Sequence, residues 1–324
     1  MALVLTGKPL LLGIGIMKLR CWVCCLVSGA MALLLMAMMA GPASAADKID
    51  VLIVDGQNNH DFERTTPYLK QILEETGRFR TFVVTTPPQG ATDPGAWKGF
   101  RPQFADYDVV LSNYNGETWP EHARTAFEEF VQNGGGVMNV HAANNPFGDW
   151  PVWNDMIGLA WRDKGFGDRI TFDAAGKLVR TLKGEGPDSS HGAQHPYTLI
   201  TRDREHPITK GMPAEWMHPT DELYHGQRGP AKNMHILATA YSSKESGGTG
   251  ENEPMVWWIP AGKGRVVTTL LGHVGRDQDP STWAMRCAGF HAIVTRGTEW
   301  AATGEVTIPL PKEMPTAEKV SLLP

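Results

Sequence analysis

Several polar side chains that could bind a ligand or move a proton stand directly after predicted β-strands. Because the carboxyl ends of parallel strands lie along one edge of a sheet, where ligands of such folds bind, we expect at least two of the histidines to share a pocket. Asparagine also bonds its own backbone in turns, so each amide has a structural interpretation as well. The residues with this placement include Asn58, His60, Asn115, His141, Asn144 and His273.

Neutral amides interleaved with imidazoles suit a polyhydroxylated ligand such as a sugar. Trp119, Trp150 and Trp153 would add apolar faces on which a sugar ring can stack. Core packing is the alternative for the tryptophan-rich middle of the chain, and it is our prediction for Trp153 and Trp161.

A second cluster, Asp221–His225, brings together two carboxylates, a phenol and an imidazole. In an extended segment, Glu222 and Tyr224 share one face. We therefore take Tyr224 as a ligand contact and Glu222 as a candidate general acid or base, with a structural salt bridge as the alternative. The segment His191–His195 is interpreted as a flexible loop rather than a catalytic one.

The three histidines at strand ends also raise the question of a metal ion. Imidazole suits zinc, and catalytic zinc usually has three protein ligands and one open position. His60, His141 and His273 are the candidate ligands, although none of the three belongs to a local His-x-x-x-His pair. Zinc or a similar divalent ion is one possibility, and a site without metal is the other.

Apolar runs alternate with amphipathic segments and predict an α/β fold with a parallel sheet whose faces are covered by helices. Strands are predicted at 49–56, 82–85, 107–112, 137–140, 236–240, 255–259 and 265–271. Helices are predicted at 64–76, 121–133 and 281–296, a hairpin at 170–180, and a loop at 87–102.

The first 45 residues resemble a targeting segment. They contain three basic residues and no acidic one, then an apolar run, and end in Ala43-Ser44-Ala45. This arrangement predicts a signal peptide cleaved after Ala45, and hence a periplasmic or secreted protein that does not contact the membrane after cleavage. An uncleaved membrane anchor is the alternative.

The remaining chain has 27 basic and 35 acidic residues, a net charge of −8. Without a basic stripe, nucleic acid is not an expected partner. Cys287 is the one cysteine after the leader, so an internal disulfide is excluded. We predict one α/β domain over 46–308 and a proline-rich, loosely ordered tail over 309–324.

Short motifs spread over residues 49–296 are individually weak, but their order is specific. They are Val51–Gly56 with His60-Asp61, Tyr107–Leu111, Gly134–Val137 leading to His141–Ala143, His206–Ile208, Asp221–Tyr224, Pro254–Trp257, and Gly264–Val267 leading to Gly272-His273. This set resembles the ThuA-like family, named for trehalose utilisation. The resemblance implies a doubly wound, mostly parallel α/β sheet flanked by helices, in a flavodoxin-like, three-layer fold of the class I glutamine amidotransferase type.

The chain departs from the amidotransferases at their nucleophile. His141 stands near the expected position of the catalytic cysteine, and no cysteine lies between Cys25 and Cys287. Release of ammonia from glutamine by a thiolate is therefore excluded.

The family resemblance implies a role in carbohydrate metabolism, and similar proteins are linked to oxidised (3-keto) glycosides. We expect a lyase or hydrolase that uses His141 or Glu222 as the base, while His60 and His273 stabilise the developing oxyanion. A carbohydrate-binding protein that uses the same pocket without turnover is the main alternative. A structural or partner-binding protein is a third.

Overall fold

The computed structural model describes residues 48–324, except for the side chain of Pro94. The predicted signal peptide lies outside the described residues. The strands are β1 (Ile49–Asp55), β2 (Phe79–Thr85), β3 (Val109–Ser112), β4 (Gly136–Val140), β5 (Arg169–Phe172), β6 (Leu178–Thr181), β7 (Ser190–His191), β8 (His195–Thr201), β9 (Glu215–Asp221), β10 (Tyr224–His225), β11 (His235–Tyr241), β12 (Asn252–Ala261) and β13 (Gly264–Thr269). The helices are α1 (Phe62–Glu75), α2 (Pro94–Gly99), α3 (Glu121–Gln132), α4 (Pro151–Ile157) and α5 (Ala288–Thr303).

The central sheet has the strand order β2-β1-β3-β4-β13-β12-β11-β8-β9. Strands β2, β1, β3, β4 and β13 pair in parallel, with Ile53 opposite Leu111 and Met138 opposite Val267. From β13 outward the pairing is antiparallel. The predicted α/β fold with a mostly parallel sheet and flanking helices is confirmed, and an antiparallel extension adds to it.

Side chains on opposite faces of the sheet build two separate cores. Val51 and Ile53 of β1 point into one core, which also contains apolar residues of α1 and α5. Leu52 and Val54 point into the other, which contains the apolar face of α3 and a group of aromatic rings. Because strand side chains alternate and both faces are covered, the middle of β1, Val51–Val54, is a continuous apolar run. This is the three-layer arrangement expected of a doubly wound fold.

Two antiparallel strands, β8 and β9, were not predicted. Every second residue is buried in much of β8, and neither strand has the continuous apolar run that identifies the parallel strands. Proline also occurs in each strand, at Pro196 and Pro219, and proline usually argues against a strand. The predicted hairpin is present as β5 and β6, paired in antiparallel fashion.

The prediction that the last helix begins at Ser281 is wrong. Asp279 accepts a hydrogen bond from the Ser281 amide and caps a short 3-10 turn, and α5 begins only at Ala288. The predicted loop at 87–102 contains the short helix α2, which is capped by Asp93.

The prediction of a loosely ordered tail is also wrong. Backbone hydrogen bonds join Thr316 to Met217, Ser321 to Ala288 and Leu323 to Arg286. Within residues 48–324, the structure contains no helix whose length and apolar character would allow it to cross a bilayer.

Candidate functional site

Histidines from three strand ends of the parallel sheet meet around one carboxylate. His60 follows β1, His141 follows β4 and His273 follows β13, while Glu222 arrives from the segment between β9 and β10. The ring centroid of His60 lies 4.5 Å from that of His141 and 4.9 Å from that of His273. All four residues are buried. The strand-end rule therefore identified a true cluster.

The backbone at the end of β4 is bent sharply to present His141. Its φ is 52°, in the left-handed region that non-glycine residues seldom occupy. Its Nδ1 donates a hydrogen bond to the Leu270 carbonyl oxygen at 2.8 Å, which directs Nε2 towards His60 and Tyr224. Conformations of this kind persist only where the surroundings hold them, and they cluster at functional sites.

His60 is oriented by a neighbouring amide. Its Nδ1 donates to Oδ1 of Asn58 at 3.1 Å, and Nδ2 of Asn58 donates to the Asn113 carbonyl oxygen at 3.2 Å. The second bond fixes which end of the amide faces the ring. Asn58, predicted to contact the ligand, thus supports His60.

The two oxygens of Glu222 have different neighbours. Oε2 lies 4.0 Å from Nε2 of His60 and 3.8 Å from Nε2 of His141. Oε1 lies 3.3 Å from Nε2 of His273 and 3.5 Å from Nε2 of His191. The carboxylate is therefore the centre of the cluster, and His191 belongs to it despite our prediction of a flexible loop.

Asp221 supports the cluster from behind. Its carboxylate accepts hydrogen bonds from the amides of Glu222 at 2.7 Å, Gly272 at 2.8 Å and His273 at 3.1 Å, and from Nε2 of His218 at 2.7 Å. Burial opposes charge on this pair, but hydrogen bonding, chiefly between the two side chains, raises the pKa of His218 to about 9 and keeps that of Asp221 below its usual value. The result is a buried ion pair that joins the chain before Glu222 to the chain around His273.

Burial also determines the charge of the central rings. Burial, reinforced by the neighbouring imidazoles, lowers the pKa of His60 to about 2, and burial lowers that of His141. Burial raises the pKa of the Tyr224 phenol, so its hydroxyl keeps its hydrogen. At neutral pH the rings of His60 and His141 are therefore neutral, and the Tyr224 hydroxyl can donate.

A cavity of about 440 Å³ opens in front of the cluster. His60, Glu222, Tyr224 and Asn115 line it, as the sequence led us to expect. Asn59 and Asn145, which the strand-end rule also covers, line it as well, but sequence reasoning missed the remaining two lining residues, Trp161 and His191. Contrary to our prediction that Trp161 is a core residue, its ring is only partly buried and stands edge-on to Tyr224 at 4.8 Å.

Several predicted ligand contacts do not line the cavity. Trp119 is buried in the aromatic core, stacked on Phe104 with a centroid distance of 5.9 Å. Trp150 and Trp153 belong to the same core. The prediction that Trp153 is a core residue is confirmed, whereas the prediction that these tryptophans form platforms for a sugar ring is wrong. Asn144 is buried, and its amide donates to the Leu159 carbonyl oxygen.

The ligand atoms that lie together differ from the predicted metal set. One nitrogen each of His60 and His141 and one oxygen of Glu222 lie within 4.8 Å of one another. His273 instead contacts the second oxygen of Glu222, so Glu222 takes the place we had given to His273.

The sequence matches the model of one protein family over most of its length. The match is to ThuA, described as trehalose utilisation, and it covers residues 50–301. The chain belongs to the ThuA family. A search of curated proteins found no match.

Solved structures support the same family. A ThuA-like protein from Parabacteroides merdae is 43% identical, with a TM-score of 0.79 over 86% of this chain and 98% of the other. A ThuA-like protein from Bacteroides uniformis is 19% identical, with a TM-score of 0.50 over 82% of this chain and 98% of the other. The second likeness concerns the fold alone.

Proposed function

We propose that this ThuA-family protein is a carbohydrate-processing enzyme that cleaves an oxidised (3-keto) glycoside by acid/base chemistry. The observation that carries the proposal is the buried carboxylate of Glu222, with four imidazole Nε2 atoms between 3.3 and 4.0 Å away. Sugar binding alone needs donors and acceptors, but it does not need a carboxylate surrounded by titratable rings. Clusters of this kind are typical of catalytic sites.

The cavity suits a sugar in size and in lining. Its volume of about 440 Å³ falls within the range of small-molecule sites. The amides of Asn59, Asn115 and Asn145 would bond sugar hydroxyls, and Trp161 would offer an apolar ring face.

The ketone of a 3-keto glycoside acidifies the hydrogen on C2. A base removes that proton, the C1–O bond to the departing sugar breaks, and a C1=C2 double bond forms. The departing oxygen takes a proton from an acid, and addition of water to C1 then completes a net hydrolysis. The protein must therefore supply a base, a proton donor and stabilisation of the enolate oxygen.

His191 is the group best placed to act as the base. Its Nδ1 donates to the Gly192 carbonyl oxygen at 2.7 Å, so a neutral ring has its lone pair on Nε2. Oε1 of Glu222, 3.5 Å from that Nε2, would stabilise the imidazolium formed by proton transfer. The sequence suggested His141 or Glu222 as the base. His141 is more deeply buried than His191, and its lone pair faces His60. Tyr224 would donate to the enolate oxygen.

A substrate panel tests the proposal. The protein is incubated with disaccharides and their 3-keto derivatives, and mass spectrometry follows the products. We expect monosaccharide release from the keto forms only, slowed at least about 100-fold in both His191→Gln and Glu222→Gln. His195→Gln, in the same segment but outside the cavity lining, is the matched control and should keep wild-type rates. No release from any sugar, or unchanged rates in both variants, would contradict the proposal.

The asparagines and Trp161 also favour a second candidate, a carbohydrate-binding protein without turnover. Calorimetric titration with unmodified and 3-keto disaccharides separates the two functions. Tight binding of a sugar that remains intact over long incubation would support the binding protein.

We further propose that the protein is exported, on the basis of the 45-residue leader. Amino-terminal sequencing of protein recovered from cell fractions tests this. A sequence beginning at Ala46 in the periplasm or medium is expected, whereas an intact leader on cytoplasmic protein would contradict export.

A further inference from the structure

The hydrogen bonds of two histidines determine which of their ring nitrogens carry hydrogen. Nδ1 of His141 faces the Leu270 carbonyl oxygen, which can only accept. Nδ1 of His60 faces Oδ1 of Asn58, and that oxygen also accepts from the backbone amide of His60. Each neutral ring therefore carries its hydrogen on Nδ1 and presents a lone pair on Nε2.

The two lone pairs face each other. Nε2 of His60 and Nε2 of His141 lie 3.3 Å apart, and no hydrogen is available to bond them. Oε2 of Glu222, a third acceptor, lies 4.0 and 3.8 Å from the same two nitrogens. The Tyr224 hydroxyl, 3.2 Å from Nε2 of His141, supplies one hydrogen and leaves the other two acceptors unmatched. Three buried acceptors converging on one point require a positive charge among them.

The spacing of the three atoms matches a metal ion. A point equidistant from them lies about 2.2 Å from each, close to the roughly 2.0–2.2 Å of zinc bonds to histidine and carboxylate. Two imidazoles and one carboxylate also form a ligand set found in catalytic zinc sites.

The surrounding residues complete the arrangement expected around a metal. Ligating histidines usually donate their second ring N–H to a carboxylate, a backbone carbonyl or water. His141 donates to the Leu270 carbonyl oxygen in this way, and His60 donates to the side-chain amide oxygen of Asn58. The other oxygen of Glu222, Oε1, lies near His191 and His273 and accepts from Gln194 Nε2 at 3.3 Å. That bond orients the carboxylate so that Oε2 is the oxygen directed at the two lone pairs.

We infer that His60, His141 and Glu222 form a binding site for one divalent transition-metal ion of the zinc class. His60 and Glu222 also line the cavity, so an ion there would be open to a ligand. If the proposed function holds, the ion would supply a Lewis acid for the ketone oxygen, while His191 remains free to move the proton. The site itself rests only on the geometry of the three residues.

Metal binding can be measured without any sugar. The purified protein is stripped with a chelator and titrated with Zn²⁺ by calorimetry, and bound metal is counted by atomic emission. Co²⁺ in a parallel titration reports four-coordinate geometry through its visible absorption. We expect one ion per chain in the wild type.

Variants locate the ion. His60→Ala and His141→Ala should weaken affinity at least about 100-fold, because loss of an outer-shell partner alone costs 10- to 100-fold. Asn58→Ala removes such a partner, should cost that smaller factor, and still tests the site if a ligand variant fails to fold. His195→Ala is the matched control and should bind like the wild type.

Two results would overturn the inference. Failure of the wild type to bind Zn²⁺, Co²⁺, Mn²⁺ or Ni²⁺ would show that a shared proton holds the three acceptors together. Unchanged affinity in folded variants of His60, His141 and Asn58 would place the ion elsewhere. If the protein binds zinc here but cleaves no keto sugar, the metal site stands and the proposed function is contradicted. If it cleaves keto sugars but binds no metal, the proposed function stands and the metal site is contradicted.

Discussion

At the scale of single residues, the site depends on where each imidazole carries its hydrogen. Backbone and amide oxygens hold Nδ1 of His60, His141 and His191, so all three rings direct Nε2 towards Glu222. The rings differ in exposure: His60 and His141 are buried, whereas His191 is partly exposed. The same ring orientation therefore suits His60 and His141 for binding an ion inside the protein, and His191 for transferring a proton near the surface.

Asp221 is the residue whose loss should affect the protein most outside the pocket itself. In Asp221→Asn, the backbone amides of Glu222 and Gly272 would lose a charged acceptor, and the new side-chain amide would itself be a donor facing them. His218 would lose its carboxylate partner. We expect the free energy of unfolding to fall by about 3 kcal/mol, as measured by chemical denaturation at neutral pH.

Asp173→Asn is the matched control, because Asp173 accepts backbone hydrogen bonds in an exposed turn where asparagine is equally suitable. Its effect should stay within about 0.5 kcal/mol. If both variants unfolded alike, the buried ion pair would contribute nothing to stability.

At the scale of elements, α5 fixes the final segment of the chain. Glu299, buried in α5, accepts hydrogen bonds from the amides of Thr307 at 2.8 Å and Ile308 at 2.9 Å, and from Nε of Arg78 at 3.0 Å. Burial alone would raise the pKa of Glu299, but these bonds and the Thr307 hydroxyl lower it. One carboxylate thus joins three parts of the sequence.

Glu299→Gln should destabilise the protein by about 2 kcal/mol at pH 7, because buried donors lose a charged acceptor. The pKa of Glu299 is lower in the folded than in the unfolded protein. Its contribution to stability is therefore complete above the unfolded-state pKa and is lost as pH falls through the folded-state pKa. The difference between wild type and variant should therefore shrink below about pH 4. Denaturation over a pH series measures it.

Glu305→Gln provides the control, since Glu305 lies in the same segment with an exposed side chain. Its effect on the free energy of unfolding should be within about 0.5 kcal/mol. A Glu299→Gln effect that did not change with pH would show that the charge of Glu299 is irrelevant and only its shape matters.

At the scale of the whole molecule, stability comes from two apolar cores rather than from covalent bridges. Cys287 is fully buried and is the one cysteine after residue 45. The melting temperature of the protein from residue 46 onward should be the same with and without a reducing agent. A thiol reagent should modify Cys287 only on unfolding, and rapid labelling of the native protein would contradict its burial.

The sequence predicted the parallel half of the sheet well, because strands covered on both faces form continuous apolar runs such as β1. It did not predict β8 and β9, which lack such runs and contain proline. The same contrast holds in the site. His60, His141 and His273 were found by the strand-end rule, whereas His191 and Trp161 come from segments that only the tertiary fold brings to the cavity. Trp119 was misassigned because a tryptophan suits an aromatic core as well as a sugar platform.

The central claim is that the pocket removes the proton next to a sugar ketone. Its most direct test is incubation of the protein in D₂O with a 3-keto disaccharide, with mass spectrometry following deuterium at C2 and release of the second sugar. We predict deuterium uptake or cleavage with wild type, slowed at least about 100-fold in His191→Gln and Glu222→Gln and unchanged in His195→Gln. Absence of both uptake and cleavage, or equal rates in wild type and the two pocket variants, would contradict the account.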